Sequence, residues 1–123
     1  MIDLKLPWPP AALSPNSRLH WSATAKIKQR YRHTCKLVTL QQMPKGLHLP
    51  AALHMQLYFT RSSRRGYDRD NLVARMKAGI DGVCDALRIN DRCIEVVTAR
   101  VATEIDKDNP HVRLVLSKAE DNL

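Results

Sequence analysis

Ten residues in the middle of the chain, 51–60, alternate with a period of two. Leu53, Met55, Leu57 and Phe59 fall on one side of an extended backbone and His54, Gln56 and Tyr58 on the other. Successive side chains of a strand point to opposite faces, so this pattern specifies a strand that rests on a core and shows its other face to water. Such a strand needs neighbours in a sheet and apolar cover on one face. Two helical patterns supply the cover. Ala23, Ile27, Tyr31, Cys35 and Val38 recur at spacings of four and three, which predicts a helix over 23–41 with Ser22 as its cap. Lys26, Lys28, Arg30, Arg32, His33 and Lys36 occupy the rest of its circumference, and Met43-Pro44-Lys45-Gly46 ends it. A second helix is expected over 71–88, where Leu72, Met76, Ile80 (or Gly79), Val83 and Leu87 form a core stripe. Gly79 and Gly82 each weaken that helix by about 1 kcal/mol relative to Ala, and either close approach of another backbone or simple tolerance accounts for them.

Residues 3–8 alternate as a short strand stopped by Pro7, Pro9 and Pro10, and residues 11–21 form a loop containing Pro and Asn. Arg61-Ser62-Ser63-Arg64-Arg65-Gly66 is a basic loop. Residues 94–103 and 111–117 read as two more strands, joined through Asp106-Lys107-Asp108-Asn109-Pro110 as a hairpin. The expected order is β-α-β-α-β-β: an α+β fold, one compact domain over 1–123, with a mixed or antiparallel sheet and two helices packed on it. A length of 123 residues suits one domain, and 44% apolar with 26% charged residues argues against disorder.

Several function classes lack their signatures. No run approaches the ~18 apolar residues of a membrane span, and Met1-Ile2-Asp3 opens neither a signal nor a transit peptide. Cys35, Cys84 and Cys93 form no CxxC pair and no His stands at finger spacing, which argues against a disulfide framework or structural zinc and for a reduced, cytoplasmic setting. The five histidines form no HxH or HExxH, and there is no Gly-rich phosphate loop or GxSxG elbow.

Charge is segregated along the chain. Residues 1–67 hold eleven Lys and Arg against a single acid, Asp3, whereas residues 68–123 hold nine against eleven acids, for +8 overall. A basic excess attracts polyanions, and a phosphate backbone is the commonest of these; a solvated basic surface that keeps the protein in solution is the plain alternative. Against this background Asp68-Arg69-Asp70-Asn71 stands out, with Asp91 following the second helix. Carboxylates at i and i+2 of an extended segment project to one side. Clustered acids repel and raise each other's pKa unless a cation joins them, and Mg²⁺ is usually held by one or two carboxylates, waters and substrate phosphate oxygens. The structural alternative is that Asp70 or Asn71 caps the helix and Asp91 sits in a turn. Asp91 reaches the pair only if the chain after Leu87 doubles back or a second subunit brings its own copy. Asp70, Ala74, Lys77, Asp81, Cys84 (or Asp85) and Arg88 share a helical stripe, so Lys77 either contacts a phosphate or pairs with Asp81, and Asp85 is read as solvated. Trp8 is read as core or dimer contact, and Trp21 either packs at the helix start or stacks on a base.

Leu6-Pro7-Trp8-Pro9-Pro10, then Asn16, Asp68-x-Asp70-Asn71-Leu72, Lys77, Asp81-Gly82 and Asn90-Asp91-x-x-Ile94 together resemble the RusA-like Holliday junction resolvases, small dimeric endonucleases often carried by phages and prophages. The resemblance runs from residue 4 to about 116. It implies an α+β homodimer that binds four-way DNA junctions and cuts them with Mg²⁺ or Mn²⁺ during recombination and repair. Asp68, Asp70 and Asp91 then correspond to the metal-binding catalytic carboxylates and Lys77 to the active-site lysine. That lysine follows the second Asp by four residues in the better-known version and by seven here; many relatives carry Asp where this chain has Asn90. Lys26, Lys28, Arg30, Arg32, Lys36, Arg61, Arg64, Arg65 and Arg69 are the expected phosphate contacts, which position DNA without reading its sequence. A non-catalytic module that binds branched DNA and an RNA-directed nuclease are the competing expectations.

Overall fold

The computed structural model describes residues 2–119. Strand β1 (Ile2–Pro7) leads through a 3₁₀ turn at Ala11–Leu13 into helix α1 (Trp21–Gln42), then β2 (Leu53–Arg61), α2 (Arg69–Arg75), α3 (Lys77–Leu87), a 3₁₀ turn at Asp91–Cys93, β3 (Ile94–Ile105) and β4 (His111–Lys118). The four strands form one mixed sheet in the order β1-β4-β2-β3. β4 runs antiparallel to both β1 and β2, and β3 is parallel to β2.

The alternating strand takes the centre of the core. Leu53, Met55, Leu57 and Phe59 are fully buried, and they share their face with Ile2, Leu4 and Leu6 of β1 and Val112, Leu114 and Leu116 of β4. Tyr31 and Cys35 of α1, Leu72 of α2 with Met76 after it, and Val83 of α3 complete this cluster, so the helices cover one face of the sheet. The opposite face is polar: Asp3 accepts a bidentate pair from Arg113 across β1 and β4 (3.0 and 2.6 Å), and the Arg113 guanidinium lies 5.8 Å from the centre of the Tyr58 ring.

Four expectations are corrected. The last two strands do not form a hairpin. β4 inserts between β1 and β2, β3 takes the edge, and the 106–110 connection passes the end of β2, where the Asp106 N–H donates to the Arg61 carbonyl (2.9 Å). Turn residues specify a reversal but not the partner strand. The more apolar strand, with Val112, Leu114 and Leu116 fully buried, takes the interior position. β3 is interrupted by register shifts opposite Met55/Gln56 and Phe59/Arg61, so it cannot hold one apolar face along its length.

The expected second helix is two, α2 and α3, so three helices cover the sheet rather than two. The interruption falls at Met76, where the consecutive residues Arg75 and Met76 are both buried. There the Met76 N–H is shared between the carbonyls of Leu72 and Val73 (both 3.1 Å), and at φ −79°, ψ −11° its backbone departs from regular α-helical geometry. The core stripe itself is Leu72, Met76, Gly79, Val83 and Leu87, with Ile80 half-buried. α1 starts two residues before the expected start, capped by His20 rather than Ser22: the His20 ring nitrogen accepts the Ser22 N–H (3.2 Å). Asp85 is not simply solvated, because Arg32 of α1 grips it through two hydrogen bonds (2.6 and 2.9 Å).

The α1–α3 contact explains one glycine. A Cβ on Gly82 would overlap the carbonyl oxygen of Arg32, and one on Gly79 would stand 2.7 Å from the Tyr31 ring. Close approach of a helix backbone, rather than tolerance, holds Gly82 in place.

Candidate functional site

The Pro-Trp-Pro-Pro segment cannot donate backbone hydrogen bonds at its prolines, but its carbonyls still need partners. Two buried polar side chains supply them. The Tyr31 hydroxyl donates to the Pro7 carbonyl (2.7 Å), and Arg75 donates to the carbonyls of Pro9 (2.6 Å) and Pro10 (3.2 Å). Trp8 packs edge-on against Phe59 and, at 5.3 Å, against Tyr67. Arg75 is only 6% exposed and has no carboxylate partner among the described residues; burial holds its pKa below the usual arginine value, and the Tyr67 ring lies 5.9 Å away. These contacts bring the 11–17 loop against the start of α2, where the Asn71 side chain donates to the Ser14 hydroxyl (2.9 Å). Arg75, Tyr67 and Ser14 did not stand out in the sequence. The available signal was an arginine beside the apolar stripe of an otherwise amphipathic helix.

Asp68 caps α2, the place expected for Asp70 or Asn71 in the structural alternative. One of its oxygens accepts the N–H groups of Asp70 (2.8 Å) and Asn71 (3.2 Å); the other makes no hydrogen bond among the described residues. The Asp70 carboxylate is 90% exposed, with Arg69 at 3.8 Å, a weak and solvated contact. Asp68 borders a hollow of about 390 Å³ whose walls include Asn16, Arg65, Tyr67, Asn71 and Arg75.

Asp91 stands elsewhere. It opens the 3₁₀ turn after α3, and Asn90 caps that turn by accepting the Arg92 N–H (3.0 Å). With Arg32, Asp81, Cys84 and Asp85 it lines a second hollow of about 300 Å³. Burial, reinforced by Asp81, Asp91 and Asp85, pushes the Cys84 thiol up to about 11. Within one chain Asp68 and Asp70 both stand at the start of α2, Asp70 in its first turn rather than in the extended segment expected, while Asp91 lines a different hollow, and the described residues contain no group of three His, Cys, Asp or Glu side chains placed to hold a metal ion. Lys77 opens α3 and makes no ion pair with Asp81 among the described residues. It lines a third hollow of about 380 Å³, with Lys28 and Arg32 of α1, which meets the first at Ser14 and Arg75.

The expected phosphate contacts fall into two groups. Lys26, Lys28, Arg30 and Arg64 are exposed, and Arg65 is exposed with its guanidinium 5.4 Å from the centre of the Tyr67 ring. Arg32 is engaged by Asp85, Arg61 donates to the Arg65 carbonyl (3.0 Å), Lys36 is half-buried, and Arg69 leans toward Asp70.

The Pro-rich entry segment is thus tied to α2, whose start carries two exposed acids. The chain is 38% identical over 94 residues, 75% of its length, to an uncharacterized protein of Xylella fastidiosa, and it spans 61% of that protein's length. No protein-family model matches it. No helix among the described residues is long and apolar enough to cross a membrane.

Proposed function

We propose that this protein is a divalent-metal-dependent, structure-selective DNA endonuclease that acts on four-way junctions as a cytoplasmic homodimer, as its likeness to the RusA-like resolvases implies. The observation that carries the reading is the carboxylate pair. Asp68 keeps one oxygen unengaged and Asp70 is almost wholly exposed, on a chain whose first half is strongly basic. An exposed Asp70 beside an Asp68 with one oxygen free among the described residues suits one Mg²⁺ or Mn²⁺, whose protein ligands are commonly one or two carboxylates, the rest being water and phosphate oxygens. Asp68 and Asp70 would hold that ion, which when bound lowers the pKa of a coordinated water and stabilises the leaving oxygen of a phosphodiester. Asp91 of a second copy would complete the set. Arg65 and Arg75 border the hollow beside Asp68, and Lys77 and Lys28 border its neighbour, so a strand crossing this surface meets cations on both sides. A two-fold dimer presents one such site to each of two opposed strands of a junction.

Incubation with a synthetic four-way junction and Mg²⁺ is expected to give paired, symmetric nicks, with a matched linear duplex left intact. Full cleavage by Asp70→Asn would remove that residue from the reaction. The separation of Asp91 from the pair within one chain favours a second reading, a module that binds branched DNA without cutting it. Junction binding in EDTA, with no product in Mg²⁺ or Mn²⁺, would select the second.

A further inference from the structure

Trp21 is the most exposed large apolar side chain among the described residues, at 76%, although a large aromatic at a helix start is ordinarily packed down. Its ring has one aromatic neighbour, His20 at 5.5 Å, and His20 is itself tied to Ser22 through a ring nitrogen (2.8 Å to the hydroxyl). Trp21, Thr24, Lys28 and Arg32 follow one another at spacings of three and four, which places them on one stripe of α1. The last three line the hollow of about 380 Å³ that Lys77 and Arg75 also border. Arg32 is neutralised by Asp85, and among the described residues Asp81 is the one acid lining the hollow, so Lys28, Lys77 and Arg75 leave it cationic. An exposed indole therefore continues along the helix into a cationic cleft, with Lys28 about 10 Å further along the axis, a distance spanned by two or three nucleotides.

We propose that this strip binds an unpaired nucleic-acid strand, one base stacking on the Trp21 indole and the neighbouring phosphates lying at Lys28 and Lys77. A duplex offers stacking faces only at its ends, whereas an unpaired strand offers them along its length together with the negative charge that the cleft complements. The inference rests on the preceding reading in that it supplies the contact for nucleotides unpaired at a branch point, but it concerns binding and not cleavage.

The chain has two tryptophans, and Trp8 is packed against Phe59 and Tyr67, so Trp21 dominates any change in emission on binding. Titration of the full chain with a dT12 oligonucleotide is expected to quench that emission, and a matched duplex to quench it much less. Trp8→Phe isolates the signal, and the native chain carries the test if that variant folds poorly. By anisotropy of a fluorescein-labelled dT12, Trp21→Ala, at an exposed position, is expected to bind about 10-fold more weakly, and Lys28→Gln to lower the slope of log affinity against log salt by about one unit.

Unchanged emission at saturating dT12, or a loss below two-fold in Trp21→Ala, overturns the proposal. So does shielding of Trp21 from iodide that grows with protein concentration, which would mean that a second copy covers it, or an emission shift with anionic vesicles and not with dT12. Quenching by dT12 without junction cleavage leaves the strip standing and removes the endonuclease. Junction cleavage at native rate by a Trp21→Ala variant that also keeps native affinity for labelled dT12 does the reverse.

Discussion

At the start of α2, Asp68 commits one carboxylate oxygen to two backbone N–H groups and leaves the other open, while Asp70 beside it touches little but water and a distant Arg69. At the far end of α3 one acid, Asp85, is engaged by an arginine. Asp85 is gripped by Arg32, and Asp91 opens a 3₁₀ turn in a hollow shared with Asp81 and Asp85. The backbone differs too, since the first end is capped and the second stops at Arg88 in the left-handed conformation (φ 56°, ψ 45°), which a non-glycine residue adopts at a cost. Asp70 and Asp85, acids near the two ends of one helical segment, are thus placed for different tasks. An exposed carboxylate with no structural partner is available for chemistry, and one already answered by an arginine is not.

The sharpest way to break this comparison is cleavage. Asp70→Asn is expected to lower junction cleavage on the order of 10³-fold with an unchanged melting temperature, because no fold contact is lost. Asp91→Asn is expected to do the same in the dimer, and full activity in that variant would confine the site to the α2 end. The second largest effect concerns what clamps the segment between its ends. Gly82→Ala drives a methyl into the Arg32 carbonyl, so urea unfolding is expected to show a loss of about 3 kcal/mol.

Smaller effects separate capping from charge. Asp68→Ala is expected to cost about 1 kcal/mol in urea unfolding and Asp68→Asn little, since Asn caps as well as Asp, yet both are expected to stop cleavage. At the other end, Arg88→Gly is expected to stabilise by about 0.5–1 kcal/mol, the left-handed residue being relieved.

The smallest effect is pH-dependent. The two hydrogen bonds from Arg32 hold the Asp85 carboxyl below its ordinary value of 3.8. A depressed folded-state pKa contributes stability above the unfolded value, and that contribution disappears as pH falls through the folded one. The melting-temperature deficit of Asp85→Asn is therefore expected at pH 6 and gone near pH 2, and it is modest because the pair is half-exposed and screened.

Much of the local structure was legible from side-chain periodicity. Leu53 to Phe59 declared a one-faced strand, Tyr31 and Cys35 the buried stripe of α1, and Leu72 to Leu87 the stripe shared by α2 and α3. The exposed Asp68 and Asp70 were legible as well, because acids at a helix start in a basic chain stand out against their surroundings. Arg75 was not, since its partners are carbonyls more than sixty residues away, and a carbonyl carries no residue-specific signal.

The amino-acid sequence by itself determined which segments are extended or helical and which side of each is apolar, because those depend on neighbours within a few residues. Only the tertiary structure decided that β4 lies between β1 and β2, that Arg32 meets Asp85, and that Asp91 stands with Asp81 rather than with Asp68. Those outcomes follow from competition among distant surfaces for one core, in which the strand that buries most apolar area takes the interior and the others are placed around it.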